Sequence, residues 1–180
     1  LSFHLGATMN LTHRPYPARI LVADDEANTR LALVRGLQLS GYQAEGAVNG
    51  REVFSRLEQG TFDLLVLDLQ MPEVNGVQVM ESIRQRQLDL LVIVLTANAT
   101  LENAIAAVKA GAVDYLLKPQ RMAEVESAIW QALQRSPKWQ RNQLIETLQQ
   151  TLAVLKADEQ DPPSSPAAGV PQVDLPPMSW

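Results

Sequence analysis

From about residue 19 to residue 135 the chain alternates short, nearly unbroken apolar runs with longer stretches of helical periodicity. No other feature of the sequence constrains the fold as strongly. The runs lie at Arg19–Ala23, Tyr42–Glu45, Leu64–Leu67, Leu91–Leu95 and Val113–Leu117. The third and fourth are apolar at every position, as a parallel strand covered on both faces must be. The second alternates, as an edge strand does. Between the runs, Leu31, Val34, Leu37 and Leu39 mark a first amphipathic segment, and Val53, Phe54 and Leu57 a second. Val77, Val79, Met80 and Ile83 mark a third, Leu101, Ile105 and Val108 a fourth, and Val125, Ile129 and Leu133 a fifth. Gly41, Gly60 and Gly111 each stand just past a helical stretch, where a left-handed cap is wanted. Five strand–helix units with short connections and right-handed crossovers give a doubly wound α/β sheet. Ligands of such sheets bind at the carboxyl ends of the strands, near the point where strand order reverses.

Those carboxyl ends carry chemistry. The first run ends in Asp24-Asp25-Glu26, the third in Asp68, the fourth in Thr96 and the fifth in Lys118-Pro119. Three carboxylates gathered on one rim repel each other unless a cation compensates. Hard oxygen ligands without His or Cys favour Mg²⁺, which keeps several of its waters. A lysine and a threonine hydroxyl facing the cluster supply positive charge and a hydrogen-bond donor for the equatorial oxygens of a transferring phosphoryl group. An aspartate carboxylate is itself a covalent phosphoryl acceptor. Taken singly, Asp24 and Asp25 also read as an acidic helix start and Thr96 as a helix cap. Tyr115 also reads as a core tyrosine with its hydroxyl outside. Taken together, the residues read as phosphoryl transfer onto a side chain.

Ile20-Leu-Val-Ala-Asp-Asp-Glu26, Leu67-Asp68-Leu69-Gln70-Met71-Pro72 with Gly76, Leu95-Thr96-Ala97, and Gly111 through Lys118-Pro119 occur in this order. Over residues 18 to 135 the chain thereby resembles the receiver domains of two-component response regulators. The resemblance implies a flavodoxin-like sheet of five parallel strands, order 2-1-3-4-5, with five helices. It implies Asp68 as phosphoacceptor and Mg²⁺ as cofactor. The metal would be held by Asp25, Asp68 and the backbone carbonyl of Gln70, with Asp24 reaching it through water. It implies Thr96 and Lys118 as partners of the phosphoryl oxygens, Thr96 and Tyr115 as the switch pair, and a cis Lys118–Pro119 bond. The expected partner is a sensor histidine kinase or phosphotransfer protein. The expected role is that of a signalling switch that phosphorylates itself from phosphodonors and dephosphorylates slowly, rather than a metabolic enzyme. An Mg²⁺-dependent phosphohydrolase is the competing reading. Such enzymes place an acid–base aspartate two residues after the nucleophile, and here that residue is Gln70.

Outside these limits the sequence says less. Residues 1–17 read as a leader and 18–135 as the receiver. Residues 136–160 read as a helical extension, capped by Ser136 and started by Pro137. Residues 161–180, with six prolines after Asp161, read as a disordered tail or linker. Ile145, Leu148, Leu152 and Leu155 fall at 3-4-3 spacing on the extension, a two-heptad seam suited to a homodimer. His4 and His13 are isolated and read as surface residues. A net charge of −5, and three Lys or Arg among the 45 residues after Arg135, speak against direct nucleic-acid binding. There is no cysteine, no apolar run of membrane-spanning length and no signal-peptide pattern, so the expected place is the cytoplasm, without membrane contact. The alternative organisation is the N-terminal receiver fragment of a longer DNA-binding regulator.

Overall fold

A computed structural model describes residues 17–97 and 100–160. The leader through residue 16, Asn98 and residues 161–180 lie outside the described residues, as do the side chains of Leu101 and Leu155. Five parallel strands, β1 (Arg19–Ala23), β2 (Gln43–Ala47), β3 (Leu64–Leu67), β4 (Leu91–Thr96) and β5 (Asp114–Leu117), form one sheet of order β2-β1-β3-β4-β5. Helices α1 (Ala27–Leu39), α2 (Gly50–Gln59), α3 (Gly76–Gln85), α4 (Leu101–Lys109) and α5 (Met122–Gln134) follow the strands in turn. A sixth helix, α6, runs from Pro137 to Gln160. This is the flavodoxin-like, doubly wound arrangement expected.

Alternation along the central strands splits the core in two. Ile20, Val22, Leu64, Val66, Ile93 and Leu95 face Leu33, Leu37, Val125, Ile129 and Leu133 of α1 and α5. Leu21, Leu65, Leu67, Val92 and Val94 face Val53, Val79, Met80 and Ile83 of α2 and α3, and Ala107 of α4. The two edge strands are less covered, and β5 has no buried position.

Several local expectations are revised. In α1 the buried leucines are Leu33 and Leu37, whereas Leu31 and Leu39 are exposed. Two residues span about 200° of helix, so a leucine two places from a buried one points outward. In α4, Ile105 and Val108 are exposed and the small Ala107 meets the sheet. Gly41 and Gly111 do adopt left-handed conformations, at φ 83° and 96°. Gly60 does not: its φ of −172° is extended backbone.

The start of α6 packs onto the domain. The Ser136 hydroxyl accepts the Trp139 backbone N–H at 3.3 Å, the cap the sequence foretells. Trp139 is buried and meets Trp130 of α5 edge-on, ring centroids 5.7 Å apart. Lys138 donates to the carbonyls of Phe62 and Asp89 and stands 3.8 Å from the buried Asp63 carboxylate. The first turn of α6 therefore lies on the amino-terminal edge of the sheet. By contrast, Leu144, Ile145, Leu148 and Leu152 further along are exposed.

Candidate functional site

The register of the sheet places the chemistry. Asp24 follows β1 and Asp68 follows β3, with the Asp68 backbone N–H bonded to the Ala23 carbonyl at 2.9 Å. Thr96, the last residue of β4, pairs in register with Leu117, and its carbonyl accepts the Lys118 backbone N–H at 2.9 Å. Four strand ends thus converge on one rim. Asp24, Asp68 and Thr96 are buried there, while Asp25 is exposed. Carboxylate oxygens of Asp24, Asp25 and Asp68 lie within 4.8 Å of one another. That donor set, hard and open to solvent on the Asp25 side, suits a hydrated divalent cation such as Mg²⁺.

Each buried carboxylate is held at both oxygens. Asp24 Oδ1 accepts the Glu26 N–H at 2.9 Å, and Asp68 Oδ1 accepts the Gln70 N–H at 2.9 Å. The Lys118 ammonium bridges the other two oxygens, 2.6 Å from Asp24 Oδ2 and 2.5 Å from Asp68 Oδ2. Burial alone would lower the pKa of Lys118. Its hydrogen bonds to Asp24 and Asp68, and their charges, outweigh that and hold it above the ordinary lysine value. The site therefore carries a fixed cation at any physiological pH. The Lys118–Pro119 peptide bond that presents this lysine is cis, as expected.

Close approach behind Asp68 requires Gly76. A Cβ at Gly76 would lie 2.5 Å from the Asp68 carbonyl oxygen and 2.7 Å from Leu69 Cα, so the chain after Pro72 can return only through glycine. Tyr115 pairs in register with Val94, two places before Thr96, so the two side chains share one face of the sheet. Tyr115 is half-buried against the α2–α4 core, and desolvation raises the pKa of its hydroxyl. Beside Lys118 an open cleft of about 570 Å³ runs between α1 and the β5–α5 loop, lined by Glu26, Thr29, Ala97 and Gln120 among others. Outside the site, Ile105 and Val108 of α4, Leu117 of β5 and Val113 just before that strand are exposed.

The sequence reading assembled Asp24, Asp25, Asp68, Thr96, Lys118 and Tyr115, and the structure brings all six to this end of the sheet. Arg30 went unnoticed. Its guanidinium donates to the carbonyl of Asp24 at 2.6 Å, and a backbone acceptor leaves no trace in a motif.

Residues 20–130 match the response regulator receiver domain family. The chain is 38% identical over 117 residues to the transcriptional regulatory protein PrrA of Mycobacterium tuberculosis, covering 65% of this chain and 50% of that protein. It is also 38% identical over 120 residues to the response regulator MprA of Mycolicibacterium vanbaalenii, covering 67% and 52%. The chain thus spans about half the length of these curated relatives. Among solved structures, a CheY-like receiver domain protein from Methanospirillum hungatei superposes with a TM-score of 0.65 at 27% identity, covering 68% of this chain and 98% of that one. A response regulator from Thermotoga maritima gives 0.60 at 31% identity, covering 65% and 98%.

Proposed function

The chain belongs to the response regulator receiver domain family, the signalling switches of two-component systems, and on that premise we propose that Asp68 accepts a phosphoryl group in an Mg²⁺-dependent reaction. The observation that carries this reading is the Lys118 ammonium bridging Asp24 and Asp68 beside the open Asp25 carboxylate. The donor is a phosphohistidine of a sensor kinase or phosphotransfer protein, or a small acyl phosphate, entering by the cleft between α1 and the β5–α5 loop. An Asp68 carboxylate oxygen attacks phosphorus as the bond from phosphorus to the donor nitrogen or oxygen breaks, and the electron pair of that bond leaves with the donor. Asp25, Asp68 and the Gln70 carbonyl would hold the metal, and Asp24 would support it from beside them. When bound, Mg²⁺ draws charge from the phosphoryl oxygens and offsets their repulsion by the carboxylates. Lys118 and the Thr96 hydroxyl bind those oxygens. Slow attack by water on the acyl phosphate resets the switch. Gln70 offers no acid–base carboxylate to speed that step.

Charge on Asp68 then acts at a distance. The Thr96 hydroxyl moves toward the new anion, and the Tyr115 ring fills the space it leaves. This biases the α4–β5–α5 surface, where Ile105, Val108, Val113 and Leu117 are exposed. The α6 stripe supports self-association as an output. The length of the curated relatives is consistent with a second reading, in which this receiver is the amino-terminal part of a longer transcriptional regulator. No described helix is long and apolar enough to cross a membrane, and we place the switch in the cytoplasm.

Incubation with acetyl phosphate and Mg²⁺ should raise the intact mass by one phosphoryl group. Chelation should abolish the gain. Unchanged yield and rate in Asp68→Asn would refute the assignment.

A further inference from the structure

Arg30 has no part in the chemistry above, yet its guanidinium reaches the acidic loop directly. It sits in the second turn of α1, four residues after Glu26, whose carbonyl accepts its backbone N–H at 3.0 Å. Its Nη1 donates to the Asp24 carbonyl at 2.6 Å and stands 3.4 Å from that of Asp25. The side chain is half-buried, and its stem lies across Gly46 of β2. A Cβ at Gly46 would come within 3.1 Å of Arg30 Cδ and 3.2 Å of Cγ. Gly46 is the slot in which this arginine rests.

The loop it grips is the one that presents two of the three carboxylates. Asp24 is already tied by its own N–H to the Ala47 carbonyl at 3.2 Å, and by Oδ1 to the Glu26 N–H at 2.9 Å. The peptide plane that carries the Asp24 carbonyl leads directly into Asp25, so a swing of that plane would carry Asp25 away from Asp68. A single guanidinium nitrogen, 2.6 Å from the Asp24 carbonyl and 3.4 Å from that of Asp25, resists that swing.

We infer that Arg30, seated over Gly46, is a positioning residue that holds the Asp24–Asp25 loop in the geometry its carboxylates need to share a divalent cation with Asp68. The inference rests on the metal reading given above. It has an unusual handle, because charge and position predict opposite signs. By Coulomb's law a guanidinium near the site repels a second cation, so its removal should tighten metal binding. As a positioning group its removal should loosen metal binding, because groups that orient ligands typically change metal affinity by about tenfold or more.

Calorimetric titration of the full chain with Mg²⁺ decides between them. Arg30→Ala is expected to weaken binding about tenfold, with Arg30→Lys recovering part of the loss. Gly46→Val, which leaves the charge in place but fills the slot, should weaken it in the same direction. In metal-free protein the Glu26 amide, bonded to Asp24 Oδ1, should exchange faster in Arg30→Ala while amides of β3 and β4 keep their protection. Equal or tighter Mg²⁺ binding by a folded Arg30→Ala overturns the positioning role. No Mg²⁺ binding by the unaltered chain overturns the metal reading itself, and this inference with it.

Discussion

Lys118 is the residue on which the charge balance of the site turns. It is the cation that bridges the two buried carboxylates, at 2.6 and 2.5 Å. Removing one member of a buried ion pair is far costlier than never having made it, about 3 to 5 kcal/mol, because the remaining charge stays desolvated. Lys118→Met should therefore be less stable than the unaltered protein in metal-free buffer and regain stability as Mg²⁺ is added. A ligand present at about 100 times its dissociation constant stabilises by about 2.7 kcal/mol. A melting temperature in Lys118→Met indifferent to Mg²⁺ would contradict this. The pH dependence has a definite sign. The folded pKa of Lys118 lies above the ordinary 10.5, so its contribution is complete below that value and is lost only as pH rises through the folded pKa. Melting curves between pH 6 and about 9 should show no loss that the Lys118→Met substitution removes. Thr96 makes a different prediction. It is fully buried at the end of β4, and its proposed role is to sense the phosphoryl group rather than to accept it. A covalent group shifts a two-state equilibrium only through its differential interaction with the two states. Thr96→Ala should then gain phosphoryl mass normally but leave the Tyr115 ring resonances unmoved, while Thr96→Ser restores the shift. Normal movement of those resonances in phosphorylated Thr96→Ala would end the proposal.

Among the elements, the start of α6 departs most from what a reader of the sequence expects. Ser136-Pro137 announces a new helix, and one begins at Pro137. What the sequence does not announce is that Trp139 turns inward against Trp130 while Lys138 reaches Asp63. Supplying a cation to a buried carboxylate is a long-range matter, with Lys138 standing 76 residues from the Phe62 carbonyl it also meets, so no local pattern encodes it. Trp139→Ala should cost about 3 to 5 kcal/mol by urea denaturation, as large-to-small core changes do. Trp139→Phe should cost much less, because it keeps most of the apolar volume and deletes an indole N–H that has no hydrogen-bond partner among the described residues. Equal losses for the two would show that burial is not what holds the turn. The central strands were legible for the opposite reason: a strand covered on both faces must be apolar throughout, and β3 and β4 are. The site was legible because its chemistry stands at strand ends, where a charged residue after an apolar run is conspicuous. The face of α1 was not. Leu31, Leu33, Leu37 and Leu39 are the same residue type, and composition alone cannot say which pair turns inward. Arg30 and Gly46 were hidden because their meaning lies in a backbone carbonyl and in a missing side chain on another strand.

At the scale of the whole molecule, the exposed stripe of α6 calls for a partner. The helix has 24 residues and so spans about 36 Å. Leu144, Ile145, Leu148 and Leu152 are each between 46% and 59% exposed, which leaves roughly half of each side chain to be covered by a partner. Full burial of a large aliphatic side chain is worth about 1.5 to 3 kcal/mol, so half of it gives about 1 kcal/mol per residue. Eight such residues in a symmetric pair supply about 8 kcal/mol, which the cost of association, about 4 kcal/mol at the least, consumes in large part. A weak, concentration-dependent homodimer is the expected result, not a permanent one. A two-heptad seam is too short to hold by itself, so a modest change on phosphorylation is enough to shift the balance. Sedimentation equilibrium of the chain with and without phosphodonor should show association that Leu148→Glu abolishes, since a carboxylate would be buried against its own copy. Deleting everything after Arg135 is the wrong control. It strips Trp139 from the core and Lys138 from Asp63, and would unsettle the fold together with the interface. Ending the chain at Gln143 keeps both residues and removes the stripe. If the unaltered chain, Leu148→Glu and the version ending at Gln143 sediment alike as monomers at every concentration, phosphorylated or not, α6 does not join two copies of this chain.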